Sequence, residues 1–465
     1  MLCCTVTVKL YQCDLMYSCL LSLFSLHTDQ LQIFKGSTLG RCHTVEAFLG
    51  EGGFGFVTKC RNTETGRTEA VKVNKTHPEV VCQAKLEIAV LKRLRCLDPD
   101  TCNIVRWNGF FFDQEHICLN FELLDQSLRD YMADRNHQGL SIRELSPVVH
   151  QLATALSHLR SIGIVHADLK PDNVMVVDRK QQPIKVKLID FGLARPVSAA
   201  KAGACVQTTW YRAPEIMLHI PFNEAIDMWS LGLVAVELAT GCPLYPGETD
   251  YDMLNFIMET QGQLADYLLD RGVGTDYYFH KQQNSQQLWR FKTPEEFAYE
   301  TGFYAEETRY IRLRSLDDLE QILAMERGHQ SDQRLFVDLV KRMLQLDGDL
   351  RIKPLEVLRH PLFDHSPPQC SRPDICITLD PEETEPEVSR QPPSHQTPGP
   401  GGILRQRRAP TLTAVSEHER ATLEENDLKE ADVQPEDNAK QDGWFRRLFK
   451  RITGAFHLLL FYCDG

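Results

Sequence analysis

The stretch His166-Ala167-Asp168-Leu169-Lys170-Pro171-Asp172-Asn173 sets a carboxylate, an ammonium and an amide at offsets of two and five on a loop between apolar segments. That set suits phosphoryl transfer. Asp168 would orient an attacking hydroxyl and accept its proton, Lys170 would lie beside the transferred group, and Asn173 would offer an oxygen to a magnesium ion. Upstream, Gly50-Glu51-Gly52-Gly53-Phe54-Gly55-Phe56-Val57 follows G-x-G-x-x-G-x-V. Glycines there let backbone amides approach phosphate oxygens without obstruction. A glycine run of this kind also opens dinucleotide folds or forms a plain hairpin turn. Here a strand rather than a helix follows it, which disfavours the dinucleotide reading.

Further parts of the same chemistry follow in order. Lys72, in Ala70-Val71-Lys72-Val73, would contact the α- and β-phosphates of ATP, and Glu87 on the next helix would pair with it. Asp190-Phe191-Gly192 follows an apolar strand, and Asp190 would ligate magnesium; Ala213-Pro214-Glu215 closes the segment that begins there. Each tripeptide alone is common, but the ordered set is specific.

Elements to hold these groups are legible. Residues 44–48 and 56–60 flank the glycines as a hairpin, 69–73 is a third strand and 117–121 another. Helical spacing runs through residues 84–95, 148–161 and 225–238. A β-rich small lobe followed by a larger helical lobe predicts an α+β, two-lobed fold over residues 44–363. Hydrophobic residues make up 42% of the chain, enough for a sizeable core, and the net charge of -13 disfavours direct nucleic-acid binding. The 15 cysteines include no Cys-x-x-Cys pair and read as free thiols in a reducing, intracellular compartment.

Outside the globular zone, residues 1–38 read as a poorly ordered or palmitoylated extension rather than a cleaved signal, since Asp14 interrupts the apolar stretch. Residues 364–442, rich in Pro, Glu, Ser and Gln, read as a disordered linker. In residues 443–463, Trp444, Phe445, Leu448, Phe449 and Ile452 alternate with Arg446, Arg447, Lys450 and Arg451. Such a helix, over 444–462, suits a membrane surface or a calmodulin-like partner, and it would bring the chain to a membrane.

The motifs together resemble the CMGC group of eukaryotic serine/threonine protein kinases, and within it the homeodomain-interacting protein kinases, which are related to the DYRK kinases. Ala225-Ile226-Asp227-Met228-Trp229-Ser230-Leu231-Gly232, Pro243-Leu244-Tyr245-Pro246-Gly247 and Leu288-Trp289-Arg290-Phe291 carry the likeness further. The resemblance implies ATP and Mg2+ as substrate and cofactor, and protein substrates with transcription regulators among them. It implies that Leu49, Val57, Ala70, Met175 and Ile189 sandwich the adenine, that Phe121 is the gatekeeper, and that backbone groups of Glu122 and Leu124 bond the adenine edge. Thr208 would bond Asp168 and Lys170, Arg351 would pair with Glu215, and Asp227 would brace the catalytic loop.

Ala167 in place of the more common Arg is a trait of that family. Two positions depart from it: Cys205 stands where relatives carry an autophosphorylated Tyr, and Thr209 where they carry the Arg that receives the phosphate. A phosphoryl group orders a loop only where cations meet it, so activity without activation-loop phosphotyrosine is expected. The rival readings are a pseudokinase scaffold, disfavoured because Lys72, Asp168 and Asp190 are all retained, and a membrane-recruited adaptor dominated by its tail.

Overall fold

A computed structural model describes residues 33–282, 288–324 and 329–364, all within the first of the two units into which the chain divides, Met1–Arg372. The N-terminal extension up to residue 32, the linker beyond residue 364 and the basic amphipathic segment lie outside the described residues.

Six strands build the small lobe: β1 (Thr38–Leu39), β2 (His43–Gly52), β3 (Gly55–Asn62), β4 (Thr68–Asn74), β5 (Trp107–Asp113) and β6 (His116–Glu122). They form one antiparallel sheet in the order β1-β2-β3-β4-β6-β5. Side chains alternate across a strand with period two, and β4 uses that alternation functionally. Val71 and Val73 face a small core with Leu39, Val45, Cys60 and Cys118, which leaves Ala70 and Lys72 on the opposite face. β2 and β3 close through Gly52 opposite Gly55. Gly55 has φ 154°, and a Cβ there would lie 2.0 Å from the Val73 carbonyl oxygen, so no other residue fits.

Helix α1 (Pro78–Leu94) begins earlier than its apolar spacing suggests, because Pro78 sits in the first turn with Glu79 behind it, both favourable at a helix N-terminus. Its buried face, including Ala84, Glu87, Ile88 and Leu91, packs toward the sheet and the cleft. β5 is a strand that the sequence reading omitted. Its Trp107-Asn108-Gly109 start carries a register shift and its three successive phenylalanines break the alternation that marks a half-buried strand.

In the large lobe, α2 (Leu128–Asp134) precedes α3 (Ile142–Ser161). α3 starts at a capping box formed by Ser141 and Glu144 and carries Pro147 inside it, so it begins earlier than the helical spacing over residues 148–161 suggests. Further on lie α4 (Pro214–Met217), α5 (Ala225–Thr240) and α6 (Asp250–Gln261). α5 is buried along nearly its whole length, as a helix apolar on all sides must be. It ends at Gly241, φ 77°, where a Cβ would come within 1.8 Å of the His137 carbonyl oxygen.

Short strands present the chemistry at the junction of the lobes. β7 (Gln126–Ser127), β9 (Val174–Val176) and β10 (Val186–Leu188) form one small sheet; β8 (Ile164–Val165) pairs with β11 (Arg195–Pro196). The loop bearing Asp168 thus runs from β8 to β9, and Asp190 follows β10. The two-lobed α+β fold implied by the resemblance is present.

Candidate active site

Asp168 is held from four directions. Its Oδ1 accepts from the Thr208 hydroxyl at 2.7 Å and the Thr208 N–H at 3.1 Å. Its Oδ2 accepts from Asn173 Nδ2 at 2.8 Å and lies 3.0 Å from Lys170 Nζ. Lys170 Nζ also donates to Thr208 Oγ1 at 2.7 Å. Thr208 therefore links the base to the lysine, receiving from one and donating to the other.

The backbone beneath is fixed by Asp227 of α5. Its carboxylate accepts the N–H of His166 at 2.7 Å and of Ala167 at 2.8 Å. Burial pushes the Asp227 carboxyl up, and those two N–H bonds together with the nearby His166 oppose the shift. Ala167 sits at φ 63°, a conformation that costs an L-residue about 1–2 kcal/mol. Its N–H to Asp227 and its carbonyl, which accepts from the Gln207 N–H at 2.9 Å, hold it there. His166 bridges further, contacting the Ile189 carbonyl at 3.0 Å and stacking edge-on against Phe191.

Across the cleft, Lys72 Nζ donates to both Glu87 oxygens, at 3.0 and 2.9 Å, and to Asp190 Oδ1 at 3.0 Å. Burial pulls Lys72 down, but the charges of Asp190 and Glu87 outweigh it and hold the ammonium above the ordinary lysine value. Burial likewise pushes Asp190 up, and the charge and hydrogen bond of Lys72 with the Gly192 N–H reverse this, holding it down to about 2. α1 is tied to the same segment by Gln83, whose amide donates to the Gly192 carbonyl.

The residues expected around a nucleotide come from both lobes. Leu49, Gly50, Glu51 and Gly52 lie on β2; Gly53 and Phe54 make the turn; Gly55, Phe56 and Val57 begin β3; and Ala70 lies on β4. Phe121 on β6 stands opposite Ala70 and beside Trp107, with Glu122 and Leu124 after it. Met175 on β9 sits between Ser127 and Lys187, and Ile189 precedes Asp190. Glu122 spends its own N–H on the Arg106 carbonyl at 3.0 Å, so toward an adenine edge it has its carbonyl to offer. Its carboxylate is gripped by the buried Lys187 at 2.6 Å and by the Arg106 N–H at 2.7 Å.

The donor set fits a triphosphate with a hard divalent cation. Asn173 commits its Nδ2 to Asp168, leaving its amide oxygen as the outward donor, and Asp190 adds a carboxylate. Oxygen ligands of this kind suit magnesium.

The segment from Asp190 to Glu215 is pinned by neutral contacts and internal ion pairs. Gln207, buried, donates to the Ile226 carbonyl at 3.0 Å and Ser230 Oγ at 2.8 Å, and accepts from the Ala213 N–H at 3.0 Å. Arg212 pairs with Asp250 at 2.7 Å, and Arg351 makes two bonds to Glu215, at 2.7 and 3.0 Å. Cys205 is exposed, and Thr209 opens the short 3-10 turn Thr209–Tyr211. Sequence reasoning missed Gln83, Gln207 and Lys187, since a single polar residue without a fixed partner spacing carries no signal. Lys187 alone offered a hint, as a lysine inside the apolar run Val186–Ile189.

The family described as "Protein kinase domain" matches residues 43–363. Homeodomain-interacting protein kinase 2 of Mesocricetus auratus is 44% identical over 327 residues, covering 69% of this chain and 28% of the relative. Homeodomain-interacting protein kinase 1 of Caenorhabditis elegans is 38% identical over 352 residues, covering 71% and 41%. Human homeodomain-interacting protein kinase 4 is 36% identical over 336 residues, covering 69% and 54%. The match thus spans about a quarter to a half of the length of these curated relatives. The chain belongs to the protein kinase family, within its homeodomain-interacting branch.

Proposed function

We propose that this chain is a protein serine/threonine kinase that uses ATP with Mg2+ and works without activation-loop phosphotyrosine. The observation that carries it is the bonded set Asp168–Thr208–Lys170–Asn173, which is complete although the activation segment that supplies Thr208 has Cys205 in place of a tyrosine. A serine or threonine hydroxyl placed against Asp168 gives its proton to that carboxylate as its oxygen bonds the γ-phosphorus. The bond from that phosphorus to the β–γ bridging oxygen breaks, and ADP leaves. Lys170 stays protonated beside the transferred group, while Lys72, braced by Glu87, holds the α- and β-phosphates. Asn173 and Asp190 would hold magnesium, which when bound would supply positive charge against the phosphate oxygens.

Pseudokinase scaffolding has less support, because no position of this set is lost. The retained cation–carboxylate pairs, with Gln207 anchored to α5, support an activation segment that holds its shape unphosphorylated. Transcription regulators are the substrate class that the relatives' printed name suggests, with a nuclear or cytoplasmic site of action. For residues 444–462 the pattern of paired apolar and basic residues supports binding to an anionic membrane surface or a calmodulin-like protein. Co-sedimentation with anionic and neutral vesicles, comparing the full chain with one ending at Gly443, tests the membrane arm. The kinase reading is tested by γ-phosphoryl transfer from labelled ATP to a generic protein substrate after tyrosine-phosphatase treatment. Full activity is expected; loss on phosphatase treatment contradicts the phosphotyrosine-independent part.

A further inference from the structure

Arg129, the second residue of α2, lies among groups that no step above uses. Its Nε donates to Asp172 Oδ1 at 2.8 Å and one terminal nitrogen donates to the Tyr211 hydroxyl at 3.0 Å. The other terminal nitrogen lies 3.5 Å from Glu237 Oε1, and Tyr211 in turn donates to Glu237 Oε2 at 2.6 Å. Four elements meet here: α2, the 3-10 turn Pro171–Asn173, the turn Thr209–Tyr211, and α5.

Both turns adjoin residues that touch Asp168. Asn173 follows Asp172 directly and ends the first turn, and Thr208 precedes the second, which ends at Tyr211. A 3-10 turn of three residues rises about 6 Å, so with its side chain Tyr211 brings the cluster on the order of 10 Å from Asp168. An extended peptide rises about 3.3 Å per residue, so a substrate residue about three positions from the acceptor reaches it. Asp172 is 45% exposed and Arg129 34%, so the guanidinium meets solvent on that side. A small, shallow cleft lined by Arg129, Met132, His137, Pro171 and Glu237 borders it. Two carboxylates, the exposed Asp172 and the buried Glu237, with the Tyr211 hydroxyl form a set that binds a guanidinium; here that guanidinium belongs to the chain itself.

We propose that Arg129 is a specificity-determining residue that fills an acidic subsite in place of a basic substrate residue, so that the kinase accepts acceptor sequences lacking one. The inference rests on the kinase reading above. An arginine brought by a substrate would have to displace Arg129 while gaining the same bonds, and so gains little. With Arg129 truncated, the same arginine meets Asp172 and Glu237 unpaired, and charge-assisted hydrogen bonds then favour it.

The test compares pairs of peptides that differ only by Arg or Ala at one position, scanned on both sides of the acceptor. The full-length chain, Arg129→Ala and Arg129→Ala/Asp172→Asn are assayed for kcat/KM. The wild type is expected to keep the Arg/Ala ratio within about twofold at every position. Arg129→Ala is expected to raise it about tenfold at one position, and Asp172→Asn to bring most of that gain back down. A merely structural role would lower both peptides together and leave the ratio flat, which overturns the proposal, as does a wild type that already selects Arg there. Arg129→Gln, which keeps an amide near Tyr211, repeats the comparison if the alanine variant fails to fold. Calorimetric binding of the same peptides needs no turnover. A wild type without transfer activity then refutes the kinase reading alone, while the binding ratio still decides the role of Arg129.

Discussion

Thr208→Val replaces one hydroxyl by a methyl group of nearly the same shape and asks what the link between base and lysine contributes. The hydroxyl makes two bonds of 2.7 Å, one to a carboxylate and one from an ammonium. Hydrogen bonds to charged groups are each worth about 1.5–3 kcal/mol. The remaining supports set the net loss: Asp168 keeps the Thr208 N–H at 3.1 Å and Asn173 at 2.8 Å, and Lys170 keeps Asp168 Oδ2 at 3.0 Å. The loss is therefore nearer one bond than two, about 2 kcal/mol, or about 30-fold in kcat. The nucleotide residues are elsewhere, so the KM for ATP should stay within about twofold, and Thr208→Ser, which keeps the hydroxyl, should recover most of kcat. Steady-state kinetics on a peptide substrate measures all three. A valine variant within threefold of wild type, or a serine variant as slow as valine, refutes the view that Thr208 aligns Asp168 and Lys170.

Other outcomes follow from the same geometry. Lys72→Met removes the cation that joins Glu87 to Asp190, so nucleotide affinity and transfer both fall; fluorescence titration with an ATP analogue measures the first. Arg351→Met leaves Glu215 buried and unpaired, and urea unfolding should show a loss of about 3–5 kcal/mol. Cys205→Ser should leave kcat unchanged, since its thiol is exposed and the bonds joining Asp168, Thr208, Lys170 and Asn173 do not pass through it. The Asp190 carboxyl, held down to about 2, contributes stability that is fully present above the ordinary carboxylate value near 3.9 and is lost as pH falls through about 2. The stability difference between wild type and Asp190→Asn, from denaturant titrations at stepped pH, should be constant above about pH 4 and shrink below it; a difference independent of pH contradicts the sign.

Much of the site lies in short contiguous motifs, and these are legible because their chemistry demands fixed spacing. Asp168, Lys170 and Asn173 act on one phosphoryl group, so a single loop must present them together. Lys72 and Asp190 are far apart in sequence, yet each sits at a strand whose alternation or apolar run announces it. The supports are different. Gln207 reaches Ile226, Ser230 and Ala213 through an amide that any loop glutamine carries, and only the packed α5 reveals its partners. Arg129 and Tyr211 look like surface charge and core aromatic until α2 and α5 are brought together. Element ends were hidden for local reasons: the first turns of α1 and α3, one opened by Pro78 and the other carrying Pro147, lie outside the apolar spacing that marks each helix. β5 lacked a clean alternation of apolar and polar residues, so it shows only through its antiparallel pairing with β6.

Single-turnover transfer of the γ-phosphoryl group from labelled ATP by Asp168→Asn, with nucleotide affinity measured on the same preparation, tests the central claim most directly. Asparagine keeps the shape and the bonds from Thr208 but cannot take up the proton. Transfer should fall by at least about a thousandfold, with ATP affinity within a few-fold of wild type. Transfer at the wild-type rate would contradict Asp168 as the base on which the whole arrangement converges.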